Sequence, residues 1–237
     1  MQDRPVAPDL VILKESRSEL VVFKPAGMAT ELREDRLGVS LKERVARRTP
    51  GVAPKLPHRL DTVSRGLVLV CLTPEAIAFH NAEIQARRWE KYYLARVAAP
   101  GDRPPADLLG LHKAFLKEVG GRARLVHAGG KPSRLEILAA APVPGRADRW
   151  HLVIRLLTGR FHQIRVMAAA LGLPLAGDPL YDPLARDPAD FYLEHVILKY
   201  TDFDTRSPAT AFLRDYPERG PLAPAIAALL ADLAGRP

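Results

Sequence analysis

Residues 57–73, PHRLDTVSRGLVLVCLT, decide how this chain is read. The charged quartet His58-Arg59-Leu60-Asp61 passes through a polar turn into the apolar run Leu67–Leu72. An apolar, β-branched-rich run of that length between turn residues has the pattern of a buried strand. Asp61 then stands in a loop at the edge of a core strand, and a rigid strand beneath a polar loop can hold a reactive side chain still. The plainer reading has Asp61 capping a turn or pairing with Arg59 at the surface.

Upstream, Leu20–Phe23 reads as a strand and Lys24-Pro25-Ala26-Gly27-Met28 as the turn after it. Lys24 is either a solvated charge or a contact beside a site. Val39–Arg48 has helical spacing, with Leu41 and Val45 on one side and a basic opposite face, and Thr49–Pro57 is a Pro-rich connector. Downstream, Pro74–Arg87 is expected as a helix, with Pro74 in its first turn and Ala76, Ile77, His80, Ile84 and Ala86 roughly on one side. Trp89–Val97 alternates as a strand, with Tyr92, Leu94 and Arg96 against Tyr93, Ala95 and Val97. A turn follows at Pro100–Pro105.

Residues 106–134 carry Gly120-Gly121 and Gly129-Gly130 with Arg122, Arg124 and Lys131, the pattern of a basic hairpin with loose turns. Leu135–Ala141 and Trp150–Leu157 are expected strands around a turn at Pro142–Asp148. Phe161–Leu171 reads as a helix ended by Gly172, Pro179–Phe191 as a loop, His195–Tyr200 as a strand and Ala223–Leu233 as an amphipathic helix. Strands and helices mix without a strict βαβ rhythm, so the expected class is α+β. Residues 1–18 read as a short N-terminal extension and 19–237 as a single domain.

The chain of 237 residues carries a net charge of +8, from 35 Lys+Arg against 27 Asp+Glu. A basic excess without a long basic tail points to a basic face, for which nucleic acid is the usual partner and an anionic membrane surface the second. The one cysteine, Cys71, lies inside the apolar run, so a disulfide framework is excluded and a reducing cytoplasm is expected. No signal peptide and no run of transmembrane length is visible. Neither a metal nor a nucleotide cofactor is signalled: no His/Cys/Asp cluster has ligand spacing, and no Gly-rich loop has phosphate-cradle order.

A second informative stretch is His151–Tyr181, HLVIRLLTGRFHQIRVMAAALGLPLAGDPLY. A strand ends at Thr158-Gly159, a turn carries Arg160, and the helix opens with Phe161-His162-Gln163-Ile164-Arg165. On that helix His162 and Arg165 stand at i and i+3 and share a face. Arg160, His162, Gln163 and Arg165 thus gather at one strand-to-helix junction. A helix N-terminus is already partly positive, so cations there cost electrostatic energy unless the site holds carboxylate or phosphate. A solvated basic turn is the alternative.

These residues resemble the RluA-type RNA pseudouridine synthases, over most of the chain from Phe23 to about Tyr200. His58-Arg59-Leu60-Asp61 followed by Gly66 and an apolar strand is similar to the family's catalytic motif. Lys91-Tyr92-Tyr93-Leu94-Ala95 is similar to its Lys-x-Tyr-x-Ala strand. Thr158–Arg165 followed by Gly172, Pro174, Gly177-Asp178 and Tyr181 is similar to its third motif, which is long and specific. Lys24-Pro25-x-Gly27 matches the opening strand and turn.

The resemblance implies a pseudouridine synthase fold: a mixed, bent β-sheet with flanking helices and a central RNA-binding cleft. It implies isomerisation of uridine to pseudouridine in ribosomal or transfer RNA, without a cofactor, by a cytoplasmic enzyme; monomer is the simplest state. Asp61 would be the catalytic carboxylate, Tyr93 would pack against the target base and take the proton from C5, and Arg165 would pair with Asp61. Arg59 would fill the place of the displaced base. His58, Arg65, Arg160, His162 and Gln163 complete the expected substrate-binding set. Arg44, Arg47, Arg48, Arg87 and Arg88 are candidates for phosphate contact, with a solvated surface as the equal alternative.

There are departures. Thr62-Val63-Ser64-Arg65-Gly66 stands where the family usually has a charged pair and then Thr-Ser-Gly, so Arg65 replaces a small residue expected beside the site. Glu194-His195-Val196 differs from the usual Leu-His-Ala. The frequent N-terminal S4 RNA-binding domain is expected to be absent, since few residues precede Lys24. Arg65 motivates one alternative, a non-catalytic RNA-binding or RNA-remodelling protein on the same scaffold. A second, a hydrolase using Asp61 with His58 or His162, lacks a third group in triad order.

Overall fold

The apolar run at 67–72 becomes the third strand of a ten-stranded mixed sheet. This computed structural model describes residues 10–32, 39–99, 108–185, 187–214 and 219–236. The strands are β1 (Ile12–Glu15), β2 (Glu19–Lys24), β3 (Arg65–Cys71), β4 (Glu90–Ala98), β5 (Gly110–Val119), β6 (Arg122–Leu125), β7 (Lys131–Val143), β8 (Arg146–Leu156), β9 (Leu193–Thr201) and β10 (Pro208–Phe212). The helices are α1 (Leu41–Arg48), α2 (Pro74–Gln85), α3 (Gln163–Ala170) and α4 (Pro224–Gly235). Strand order is β1-β2-β3-β9-β4-β8-β7-β5-β6, with β10 alongside β9. Neighbours are antiparallel except β3 and β9.

Side-chain alternation sorts the strands onto two cores. Val68 and Val70 of β3 face the same way as Val22, Tyr93, Ala95 and Val97, and this front core is closed by α1 and α3 through Leu41, Val45, Ile164 and Ala168. Leu67, Leu69 and Cys71 face the back with Val21, Tyr92 and Leu94, covered by Ala76 of α2 and by Ile226, Leu230 and Leu233 of α4. Leu67, Val68, Leu69 and Val70 are all fully buried; burying each such side chain stabilises by roughly 1.5–3 kcal/mol. Ser40 starts α1 with a reciprocal cap to Glu43, and Thr73 caps α2 ahead of Pro74.

The sheet forks beside β3. β3 meets β9 only at Arg65–Glu194 and Gly66–His195. Beyond that point β9 pairs with β10, and Lys55 pairs with Cys71 in its place. The His58 ring fills the gap, its Nε2 accepting the Leu69 N–H at 3.0 Å. Gly66 sits at the branch with φ +116°, and a Cβ there would lie 2.4 Å from His195 O and 2.5 Å from His195 N.

Some elements differ from expectation. β1 lies inside the stretch read as an extension, paired with β2 at the sheet edge. β10 was not anticipated, because five residues bracketed by polar turns carry little periodicity. β7 and β8 run to Val143 and from Arg146, so their turn is tighter than 142–148. α3 opens at Gln163 rather than Phe161, because His162 holds a left-handed backbone at φ +51°. The turn expected at Pro100–Pro105 lies outside the described residues.

Gly66→Ala should lower stability by about 2 kcal/mol or more, since backbone atoms must move to admit the methyl group. The denaturant midpoint measures this, and an unchanged midpoint would contradict the close approach.

Candidate active site

Asp61 projects from the loop ahead of β3, and that loop is pinned from below. Thr30 accepts the Leu60 N–H at 3.1 Å and donates to Leu60 O at 2.7 Å. The fully buried Lys24 ammonium donates to the carbonyls of Pro25 (3.0 Å), Met28 (2.7 Å), Thr62 (3.4 Å) and Ser64 (2.6 Å). One cation thus ties the turn after β2 to the segment following Asp61. Burial pulls the Lys24 pKa down to about 7, with Asp61 opposing and Arg65 adding to the fall. The two readings of Lys24 resolve to a buried clamp.

Across the chain, α3 delivers Arg165, whose side chain is almost wholly buried. Its Nε and Nη2 donate to Asp178 Oδ2 and Oδ1, both at 2.7 Å, in a bidentate pair. Its Nη1 reaches Asp61 Oδ2 at 3.4 Å. The side chain of Asp178 has no exposure, whereas that of Asp61 keeps 23%, so Asp61 alone of the two is open to a substrate. Burial opposes the Arg165 charge, but Asp178 and then Asp61 outweigh it and raise its pKa. Asp178 also accepts the backbone N–H groups of Leu180 (2.9 Å) and Tyr181 (3.3 Å). Gly177 before it has φ +69° and lies where a Cβ would sit 2.4 Å from Asp187 O. Asp178 is the functional residue that sequence reasoning did not single out; Gly177-Asp178 within the third motif was the available signal.

Tyr93 comes from β4 on the front face. Its ring stacks on His195 of β9, centroids 4.7 Å apart, and the two are register partners. Burial and the nearby Asp61 charge raise its pKa, so the phenol keeps its proton at neutral pH. His195 donates from Nδ1 to Leu67 O at 2.7 Å and stays neutral, its pKa pulled down to about 3 by burial. His162 lies with Nε2 3.8 Å from Asp61 and Nδ1 3.0 Å from the Tyr181 hydroxyl, stacked against Phe161. Burial, with Arg165 pushing the same way and Asp61 opposing, lowers its pKa. The fold therefore brings Asp61, Tyr93, His162 and Arg165 together.

The other expected residues lie elsewhere or point differently. His58 is turned into the sheet fork against Trp89 and His195. Arg59 is exposed at the loop rim, and its side chain has no partner among the described residues. Arg65 shares the back face with Leu67 and Leu69, buried over the Tyr192 ring at 4.8 Å. It stands behind the sheet and not beside Asp61, which removes the motive for a non-catalytic alternative. Gln163 fastens α3 to β7: its Oε1 accepts from Thr158 Oγ1 (2.8 Å) and Arg160 N (3.1 Å), and its Nε2 donates to Arg134 O (3.0 Å). Arg160 is exposed and donates to Pro132 O at 3.3 Å. Of the phosphate candidates, Arg47 and Arg48 are exposed on α1, and Arg88 is paired with Glu83.

The arrangement has a carboxylate open on one side, a fixed guanidinium against it and a flat protonated phenol nearby. Such a group can attack or take a proton from a molecule placed over it while its charge stays compensated. Acid should undo the scaffold. Burial pulls His151 and His195 from 6.5 to about 4 and about 3, so between those values and 6.5 the unfolded chain binds protons the folded chain refuses. Stability present at neutral pH is then lost as pH falls through that window, by up to about 1.4 kcal/mol per pH unit for each group. Denaturant midpoints measured against pH should show the loss, and His195→Gln should flatten it; an unchanged pH slope would contradict a neutral, buried His195.

The sequence family described as RNA pseudouridylate synthase matches residues 19–170. The dual-specificity RNA pseudouridine synthase RluA of Escherichia coli K12 is 32% identical over 196 residues, covering 81% of this chain and 86% of the relative. An uncharacterized RNA pseudouridine synthase of Chloroflexus aurantiacus is 32% identical over 167 residues, covering 68% of this chain and 51% of that one. Among solved structures, human RNA pseudouridylate synthase domain containing 1 aligns with a TM-score of 0.73 at 23% identity, covering 100% of this chain and 99% of that chain. Human RNA pseudouridylate synthase domain containing 4 aligns at 0.66 and 14% identity, covering 92% and 91%. At these identities the structural likeness speaks for the fold.

Proposed function

Since this chain belongs to the RNA pseudouridine synthase family, we propose that Asp61 is the carboxylate with which it isomerises uridine to pseudouridine in RNA. In that reaction the C1′–N1 bond breaks, the uracil turns, and a C1′–C5 bond forms; the C5 proton leaves and N1 gains one. Asp61 serves as nucleophile or takes the 2′ proton, and either role needs it ionised. The observation that carries the reading is the Asp61–Arg165 contact, with Arg165 itself held by a buried carboxylate. Arg165 is the positioning and charge-compensating partner. Tyr93 packs against the target base; a phenol that retains its proton supports packing over service as the initial base.

The target base must leave its stack, at a cost of a few kcal/mol. Arg59, exposed beside Asp61, is suited to occupy the vacated place, and His162 is suited to orient the base. The substrate is ribosomal or transfer RNA, and the chain from β1 onward acts as one catalytic domain in a cytoplasmic monomer. Among the described residues no helix is long and apolar enough to cross a membrane.

Asp61→Asn, incubated with bulk RNA followed by pseudouridine mapping, should lower the rate on the order of 10³-fold or more while RNA binding persists. Equal activity in the variant, or no new pseudouridine with wild type, would defeat the reading. Arg165→Lys keeps the charge but loses the planar fork. It should lower kcat far more than it weakens RNA binding, and an unchanged kcat would refute the pairing.

A further inference from the structure

The basic hairpin lies beside the site, but its cations take no part in the contacts around Asp61. Strand pairing sets Lys113 opposite Arg134, Phe115 opposite Pro132, Lys117 opposite Arg124 and Val119 opposite Arg122. Directly opposed residues share a face. The intervening Leu116, Ala123, Leu135 and Ile137 belong to the front core, so this set lies on the back. Phe115 remains 49% and Val119 44% exposed there, and Lys113, Lys117, Arg122 and Arg124 are exposed between them. Among the described residues none of those four cations has a side-chain partner. Several arginines elsewhere are paired with acids: Arg88 with Glu83, Arg149 with Asp190, Arg155 with Glu90 and Arg219 with Glu194.

The hairpin is also tied to the site. The Tyr181 hydroxyl, bonded to His162, accepts from Ala123 N at 2.8 Å and donates to Ala123 O at 3.2 Å. β6 is therefore bonded to the Tyr181–His162 side of the site and ends the sheet on its outer side. A strand of RNA leaving the site past the β6 edge meets the back face. Unpaired cations flanking an exposed aromatic ring fit a single-stranded nucleic acid, with phosphates on the cations and a base on the ring. A second copy fits poorly, since an isologous pairing would set these cations against their own equivalents.

We propose that the back face of β5–β7, around Phe115, is a second RNA-contact surface that takes the single-stranded flank of the substrate. This rests on the RNA reading above and extends it outside the cleft.

The test is fluorescence anisotropy of a labelled stem-loop RNA with a single-stranded flank, and of the same stem-loop trimmed of it, across a salt series. Against the flanked RNA, the triple variant Lys113→Ser, Lys117→Ser, Arg124→Ser should lower the log–log salt slope by about 2, at roughly 0.7 per phosphate on a single strand. Phe115→Ala should weaken the same complex about 10-fold through lost stacking. Both variants should bind the trimmed RNA as wild type does and match its circular dichroism. Unchanged flanked-RNA binding overturns the proposal, as does an equal loss on both RNAs. It is also overturned if the triple variant loses only binding to phosphatidylserine vesicles, or if Phe115→Ala breaks a dimer in gel filtration. The readout needs no turnover: wild type that binds with a flank-dependent slope but makes no pseudouridine sinks the assignment of Asp61 and leaves this surface standing.

Discussion

The site depends on how one guanidinium is divided between two carboxylates. Arg165 spends its Nε–Nη2 edge on Asp178, inside the protein, and turns Nη1 toward Asp61, at the opening. Removing one partner from a buried pair costs roughly 3–5 kcal/mol, because the other charge is left without compensation. The inner pair is therefore fixed by folding itself. Its fixity passes to Asp61: the nitrogen that Asp178 does not engage, Nη1, points at the carboxylate that stays partly open. The Gly177 turn, the N–H groups of Leu180 and Tyr181, and the first turn of α3 all serve to bring Asp178 and Arg165 to that geometry.

The other half of the site is held by the sheet. β3 and β9 touch only at Arg65–Gly66, where Gly66 admits the backbone of His195. That places the His195 ring under Tyr93 and leaves a gap which His58 closes from the other side. Lys24 and Thr30 then fasten the Asp61 loop to the end of β2 and to the segment before α1. Two separate supports, one through α3 and one through the sheet, converge on a single open carboxylate. This is preorganisation in the physical sense: the groups are oriented before a substrate arrives.

Much of this was legible. β3 and β4 show in the runs Leu67–Leu72 and Trp89–Val97, and α1, α2 and α4 in their periodic apolar positions, because each buries a regular face. The back-face position of Arg65 follows from its parity with Leu67 and Leu69, although its place in the motif drew attention to Asp61 instead. The left-handed turn at His162 left no trace in the apolar spacing, so the helix was begun too early. His58 looked like a substrate contact because it neighbours Asp61 in sequence, but the fork in the sheet, a matter of which strands pair, takes its ring away. Asp178 was present in the quoted motif without a role; only the fold shows that Arg165 has two acidic partners and that Asp178 is the nearer.

The central claim is that Asp178 sets Arg165, and through it Asp61. It is tested most directly by single-turnover kinetics of Asp178→Asn, which keeps the side chain's shape and removes its charge. The account predicts a folded protein with RNA affinity near wild type and a chemical step slowed on the order of 10²-fold, as expected for a misaligned catalytic group. A chemical step at the wild-type rate would contradict it.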